Sequence, residues 1–461
     1  MSTRLSRRDL LRLTGSGLGM VGLSQVLDAE ARRSPLAPQP PHFPARAKHV
    51  IHLFLNGAPS QVDSFDYKPE LTKYHGEPYP GGNLRTERKT GSLMKSPFEF
   101  SSSGKSGIPI SEIFPKLGAV IDKCLVINSM HTDVPFHEPS LFMFNCGQRV
   151  AGHPSYGSWL TYGLGSENQN LPGFVVMCPG YPVVGPQLWT SAFLAGAYQG
   201  AYVRNTEVEP DKLVPFLRNP SRGLDAQRGQ LDLLAKLNAI HLLREGPAPQ
   251  LEATIHSMEV AYRMQAEATD AFDVRREPQT IRDRYGDGDF ARGCLIARRL
   301  VERGVRVVQV YYGNMQPWDT HDDIQRMRKL AANSDSAMAA LIQDLDASGL
   351  LDETIVLIGG EFGRTPTVEV AGVTRLHAGR DHNNHGFSVV VAGGGFRRGV
   401  RFGATDDFGF KAVKDPVHVH DLHATMLHQL GLDHERLTYR HSGRDFRLTD
   451  VKGEVREDLL A

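Results

Sequence analysis

The stretch that most constrains this chain is Thr354-Ile-Val-Leu-Ile-Gly-Gly-Glu-Phe-Gly-Arg-Thr-Pro366. Thr354 to Ile358 is an apolar run rich in β-branched residues, the composition of a strand buried on both faces of a parallel sheet. Two glycines end the strand, and Glu361 and Arg364 follow in a tight loop. In open α/β sheets, ligands sit beyond the carboxyl ends of the strands. A carboxylate and a guanidinium placed there can hold a metal and an oxyanion. Arg364 can equally pair with Glu361 or tie down the loop.

Other segments repeat the pattern of a strand followed by polar residues. His49 to Leu55 runs into Asn56-Gly57, with Asp63 and Asp66 a little further on. Asn56 and Asp63 are therefore candidate substrate or metal contacts, or members of a solvated Asx/Pro turn. Cys124 to Asn128 leads to His137-Glu-Pro-Ser-Leu141, where Pro139 suits the start of a helix whose free N–H groups lie near His137 and Ser140. Val305 to Tyr312 leads to Asp319 and His321, and a helix from Asn333 to Gly349 then delivers the chain to the Glu361 strand. Asp381, His382 and His385 come just before a strand from Phe387 to Ala392. The strands ending at Leu55, Asn128, Tyr312 and Ile358 are expected in one mainly parallel sheet, with their carboxyl ends on a common edge.

Asp319, His321, Glu361, Asp381, His382 and His385 are the expected metal ligands; a hydrogen-bonded polar loop floor is the rival reading. Mixed nitrogen and oxygen donors suit Zn, Mn or Fe, whereas oxygen alone would suit Ca or Mg, so the identity of the divalent metal stays open. The tract His418, His420, His423 and His428 surrounds a helix expected from Asp421 to Leu430, with Asp421 as N-cap. Only His420 and His423 share a face by i,i+3 spacing, which favours a structural role.

The N-terminus carries Ser6-Arg-Arg-Asp-Leu-Leu-Arg12, a weakly apolar Gly-rich run, and then Ala29-Glu-Ala31. This reads as a twin-arginine signal peptide over residues 1–31, with periplasmic or other exported localisation and the twin-arginine translocase as a partner during export. The apolar run is too short and polar for a stable membrane span. Residues 32–47 read as a linker, 48–450 as the main domain and 451–461 as a tail. Within the domain, 180–290 reads as a helical insertion or cap, from the helical spacing of Leu231 to Leu243 and Leu251 to Ala271. Residues 75–107 are expected to form an exposed excursion. Lys+Arg and Asp+Glu both total 52, so no global charge draws in nucleic acid. The four cysteines show no CxxC spacing; buried free thiols are expected, with one bridge possible after export.

Asn56-Gly-Ala-Pro-Ser-Gln-Val-Asp63 with Phe65-Asp66, Trp318-Asp-Thr-His-Asp322, Gly360-Glu-Phe-Gly-Arg-Thr-Pro366, Gly379-Arg-Asp-His382, Asp421-Leu-His-Ala-Thr425 and Ser442-Gly-Arg-Asp445 together resemble domain-of-unknown-function family 1501, of the alkaline phosphatase/sulfatase-like superfamily. The resemblance covers roughly residues 45–450. It implies an α/β/α sandwich with a mainly parallel central sheet, alkaline phosphatase-like, and a metal-dependent site for sulfate or phosphate esters. The more distant sulfatase pattern partly fails. His137 stands at the formylglycine position, Leu141 replaces the arginine of that motif, and Asn56 stands where the acidic pair would be. Formylglycine chemistry is therefore not expected.

Two functions follow. The first is an exported hydrolase in which the six ligands gather metal, Arg364 holds the anionic group, and His137 is a ligand, an acid/base or an unusual nucleophile. The second is a non-catalytic envelope protein that binds an anionic glycan or a protein partner. The expected ligand is an anionic small molecule or a sulfated or phosphorylated glycan.

Overall fold

The apolar runs form one nine-stranded sheet. In chain order its strands are β1 (His49–Phe54), β2 (Cys124–His131), β3 (Phe174–Met177), β4 (Ala201–Val203), β5 (Val307–Tyr311), β6 (Thr354–Gly359), β7 (Phe387–Ala392), β8 (Val400–Phe402) and β9 (Val417–His418). Across the sheet the order is β8-β2-β7-β6-β1-β5-β3-β4, with β9 also paired to β2. The computed structural model describes residues 35–82, 84, 86–214, 221–246, 248–370 and 378–461. The expected signal peptide, 1–31, lies outside the described residues.

All strands run parallel except β7, which is antiparallel to both β2 and β6. The carboxyl ends of β1, β2, β5 and β6 thus share one edge, as expected. The single reversal has a local cause. After β6 the chain stays at that edge, and Gly363–Glu369 pairs with Arg380–Asn383 and with Thr90–Leu93 in a small antiparallel sheet. From there it enters β7 directly, because an antiparallel neighbour needs no crossover helix. Residues that merely precede β7 are therefore delivered to the edge where the parallel strands end.

Helices cover both faces. Alternating side chains of β1 divide the core: Ile51 and Leu53 point to one side, Val50 and Phe54 to the other. On the first side lie α5 (Asp289–Val301) and α6 (Asp335–Ala347), which bury Leu295, Ile296, Leu341 and Leu345. On the second lie α1 (His137–Cys146), α2 (Tyr156–Leu164) and α7 (Val419–Gln429), which bury Phe144, Trp159, Leu422 and Met426. Each such residue contributes roughly 1.5–3 kcal/mol of transfer free energy, so the sheet is a rigid platform for its edge loops. The result is an α/β/α sandwich with a mainly parallel central sheet.

Several boundaries differ from the sequence reading. Residues 35–47 do not hang free as a linker: Gln39 N donates to Leu164 O, His42 N to Gly431 O and Arg46 N to Gln429 O, and Leu36 and Ala47 are buried. The tail is docked as well, with Leu459 buried and Ala461 N donating to Gly395 O. Region 180–290 is helical in α3 (Leu224–Glu245) and α4 (Pro249–Ala271), joined by the bidentate Arg228–Glu259 pair, but it also supplies edge strand β4. The true N-cap of α7 is His418. Asp421 stands three residues in and closes a capping box on the His418 backbone. The four cysteines are free and buried.

Candidate metal centre

The centre lies where the edge loops meet. His137 is the first residue of α1, which follows β2. Asp319 and His321 follow β5, Glu361 follows β6, and His382 lies in the strand Arg380–Asn383 that leads to β7.

The Oδ1 atom of Asp319 is the hub. It lies 2.9 Å from His321 Nε2, 3.4 Å from His137 Nε2 and 3.5 Å from His382 Nε2. The Nε2 atoms of His321 and His382 are themselves 2.9 Å apart. One ligand atom from each of these four residues falls within 4.8 Å of the others. The opposite nitrogen of every ring faces a carboxylate. His137 Nδ1 is 2.7 Å from Glu361, His321 Nδ1 contacts Glu369, and His382 Nδ1 is 2.7 Å from Glu87.

At His137 and His321 a proton on Nδ1 can be shared with the carboxylate behind it, which leaves the lone pair on Nε2; His382 Nδ1 lies near Glu87 but makes no hydrogen bond. In those tautomers the Nε2 lone pairs converge with the Asp319 oxygen. The Nε2 of His137 is buried without a hydrogen-bond partner. Buried acceptors in that arrangement are costly unless a cation joins them. A divalent ion bound by nitrogen and oxygen donors fits this set, and imidazoles aligned by outer carboxylates are the usual form of such a site.

Burial alone would raise the pKa of Asp319, but contacts from His137, His321, His382 and the Arg364 guanidinium hold it well below the usual carboxylate range. Burial pushes His382 down to about 2, so its ring is neutral and available as a ligand. Burial also opposes charge on His137, yet Asp319 and Glu361 outweigh it and leave its pKa raised, so a bound cation would have to displace a proton from its Nε2. The Asp319 side chain keeps 24% of its exposure while Glu361 and Glu369 keep none, so the centre opens to solvent on the Asp319 side.

The expected site residues separate into groups. Asp319, His321, His382 and His137 converge. Glu361 and Asp381 stand one layer out: Glu361 accepts from His137 and from Gly57 N (3.1 Å), and Asp381 accepts from Arg88 N (2.7 Å) and His382 N (2.8 Å). His385 is not in the cluster; its ring packs 5.1 Å from Phe410.

Arg364, expected to hold an anion, is fully buried. Its Nε donates to Ala58 O at 2.9 Å, and its Nη2 donates to Gly57 O and, at 2.6 Å, to Asp319. It is a tie that fixes the hub carboxylate. Asp63 likewise does not reach the centre but forms a buried pair with Arg380 (2.6 Å). Asn56 donates to Gly313 O (3.0 Å) and Met315 O, which fixes the β5 loop. His420 and His423 donate to Gly147 O (2.8 Å) and Phe144 O (2.9 Å), holding the end of α1.

Two participants escaped the sequence reading. Glu87 falls in the stretch read as an exposed excursion, and nothing in its surroundings marks it. Glu369 sits in Thr367-Val-Glu-Val370, where a carboxylate inside a β-rich run was an available signal. Gly57 is the pivot between loops. Its φ is +110°, and a Cβ there would come 2.6 Å from Asp319 N, so only glycine lets the β1 and β5 loops touch.

Fold and site together define an α/β/α protein with a candidate divalent-metal centre at the carboxyl edge of its sheet. The chain belongs to the family described as Protein of unknown function (DUF1501), whose model matches residues 47–460. No curated protein matches it. Similar solved structures include the PsFucS1 sulfatase from Pseudoalteromonas sp. (TM-score 0.37, 12% identity, 90% of this chain and 72% of that chain). Another is the lipoteichoic acid synthase LtaP from Listeria monocytogenes (0.37, 10%, 90% and 78%). A third is the alkaline phosphatase from the Antarctic bacterium TAB5 (0.32, 11%, 83% and 98%). Among the described residues no helix is long and apolar enough to cross a membrane.

Proposed function

We propose that this protein is an exported, metal-dependent hydrolase of sulfate or phosphate esters. The observation that carries the reading is the convergence of three imidazole Nε2 atoms and one Asp319 oxygen, each imidazole held from behind by a carboxylate. His137, His321, His382 and Asp319 would hold the ion. A set dominated by imidazole suits Zn or Mn better than Ca or Mg, which prefer oxygen. When bound, the ion supplies Lewis-acid polarisation of an ester oxygen.

The chain's own groups do the rest. Arg364 holds the Asp319 oxygen toward the cluster. Glu361 keeps the His137 proton on Nδ1. The first N–H groups of α1, beside His137, favour an anionic group at the mouth of the site. Ser140 is not available as a nucleophile, because its hydroxyl donates to Val134 O at 2.6 Å. Attack by water is therefore the route in keeping with these residues. Export is inferred from Arg7 and Arg8 in the twin-arginine motif.

A second reading, a non-catalytic envelope protein that binds an anionic glycan or a partner, draws support from the commitment of Ser140 and Arg364 to backbone oxygens. Elemental analysis of protein purified without chelator separates the two when combined with turnover of p-nitrophenyl sulfate and phosphate. The hydrolase reading expects about one bound ion and activity that Asp319→Ala and His321→Ala both abolish. Bound metal with no turnover of either ester points to the second reading. No metal in the wild type removes the basis of the first.

A further inference from the structure

On the far side of the His382 ring from the metal centre, the fold gathers a second set of donors that the hydrolase reading does not use. Glu87, Asp381 and His382 each offer one ligand atom, and the three atoms lie within 4.8 Å of one another. The Glu87 segment is held there by its neighbours. Arg88 N donates to Asp381 Oδ2 at 2.7 Å, Arg88 Nη1 donates to Glu369 at 3.0 Å, and Val370 N donates to Lys89 O at 2.9 Å. Asp381 is fixed from its other side by His382 N, which donates to Oδ1 at 2.8 Å. Both carboxylates therefore sit on backbone that is already paired.

The His382 ring itself points to a ligand. The side chain is only 3% exposed, and its Nδ1 lies 2.7 Å from Glu87 Oε2. Nδ1 is nevertheless buried without a hydrogen-bond partner. At that separation only direction can fail: the oxygen lies off the line that an N–H would take. A shared ion has the opposite requirement. An ion about 2.0–2.1 Å from both atoms needs the oxygen roughly 50° off the axis of the nitrogen lone pair. Asp381 is fully buried, whereas the Glu87 side chain keeps 30% of its exposure. Three protein ligands with one side open to water make a tetrahedral set of the kind zinc accepts.

We propose that Glu87, Asp381 and His382 Nδ1 form a second divalent-cation site of zinc type, joined to the first through the His382 ring. A neutral imidazole has one lone pair. Holding an ion on each nitrogen therefore sends the ring's remaining proton to solvent and leaves an imidazolate bridge. The two ions stand roughly 6 Å apart across the ring, beyond the ~3.5–4 Å at which two ions share one reacting group. The outer ion thus takes no part in ester cleavage. It clasps the Glu87 segment onto the strand Arg380–Asn383 and fixes the ring that serves the inner centre. The inference rests on the metal-binding part of the hydrolase reading and not on turnover. With three protein ligands and an open side, the outer site is the weaker one, filled by added metal rather than carried through purification.

Counting ions tests this on the full-length protein, titrated with Zn(II), freed of excess metal and assayed by elemental analysis. The wild type is expected to carry about one ion as purified and to take up about one more, while Glu87→Gln should take up no second ion. Glu87 is partly exposed, so this variant should unfold as cooperatively as the wild type. Asp381→Asn is expected to lose the second ion as well. Cu(II) loading tests the bridge, because two Cu(II) ions on one imidazolate couple antiferromagnetically. The electron paramagnetic resonance intensity of the doubly loaded wild type should fall well below that of two isolated ions, and Glu87→Gln should show full intensity for its single ion. The proposal is overturned if the wild type takes up no second ion, if Glu87→Gln takes up as many as the wild type, or if two Cu(II) ions give the full uncoupled signal. A single ion with ester turnover would remove this site and leave the hydrolase reading standing; no ion at all would remove both.

Discussion

Glu361→Gln is the sharpest perturbation of the centre. The side chain is fully buried and accepts from two donors, His137 Nδ1 at 2.7 Å and Gly57 N at 3.1 Å. Both donors share one oxygen, Oε1, so a glutamine oxygen in the same place can still accept from them, and what the substitution removes is the charge. The charge that fixes the His137 tautomer disappears, so the ring is free to protonate Nε2 and withdraw its lone pair. Loss of such an outer partner typically weakens metal affinity about 10–100-fold, which is roughly 1.4–2.7 kcal/mol. A competition titration against a chromophoric chelator measures it directly. Stoichiometry should stay the same while the dissociation constant rises, and thermal unfolding should stay cooperative. If Glu361→Gln binds the ion within twofold of the wild type, Glu361 does not orient His137, and the argument from outer carboxylates fails.

Other outcomes follow from the same geometry. Asp63→Ala strands Arg380 in the interior and should cost about 3–5 kcal/mol in denaturant unfolding; a loss below 1 kcal/mol would contradict the buried pair. Burial lowers His52 and His423 from 6.5 to about 3. The unfolded chain then binds more protons than the fold between those values. Stability is therefore complete above about pH 6.5 and falls as pH drops toward 3, by about 1.4 kcal/mol per pH unit for each histidine. A urea midpoint unchanged between pH 7 and pH 5 would count against this. Replacing Arg7 and Arg8 by lysine should leave precursor in the cytoplasm, and processed protein in the periplasm of that variant would refute the export signal.

The sheet was largely legible because its strands are short runs such as Thr354 to Ile358, whose composition speaks for itself. The direction of β7 was not. Phe387 to Ala392 reads the same whichever way it runs, and only the path through the small sheet decides. The site was legible where polar residues directly follow a strand, as at Asp319 and His321. His382 and His385 look alike in sequence, but one lies in the strand Arg380–Asn383 and the other in the turn beyond it. Arg364 shows a different limit. A guanidinium near a carboxylate looks the same whether it greets a ligand or braces a loop, and only its complete burial and its backbone partners tell them apart. Glu87 had no signal because its partner, His382, lies far along the chain.

The reversal of β7 also affects how the molecule is assembled. His137, Asp319 and His382 come from widely separated parts of the chain, and the last of them reaches the others only once Arg380–Asn383 has docked on Gly363–Glu369. An ion bridging them would act as a rivet through the upper rim, one that could be set only in a nearly finished fold. Bound metal would therefore report completion of folding, and its removal should loosen the segment ahead of β7 before the helical layers give way.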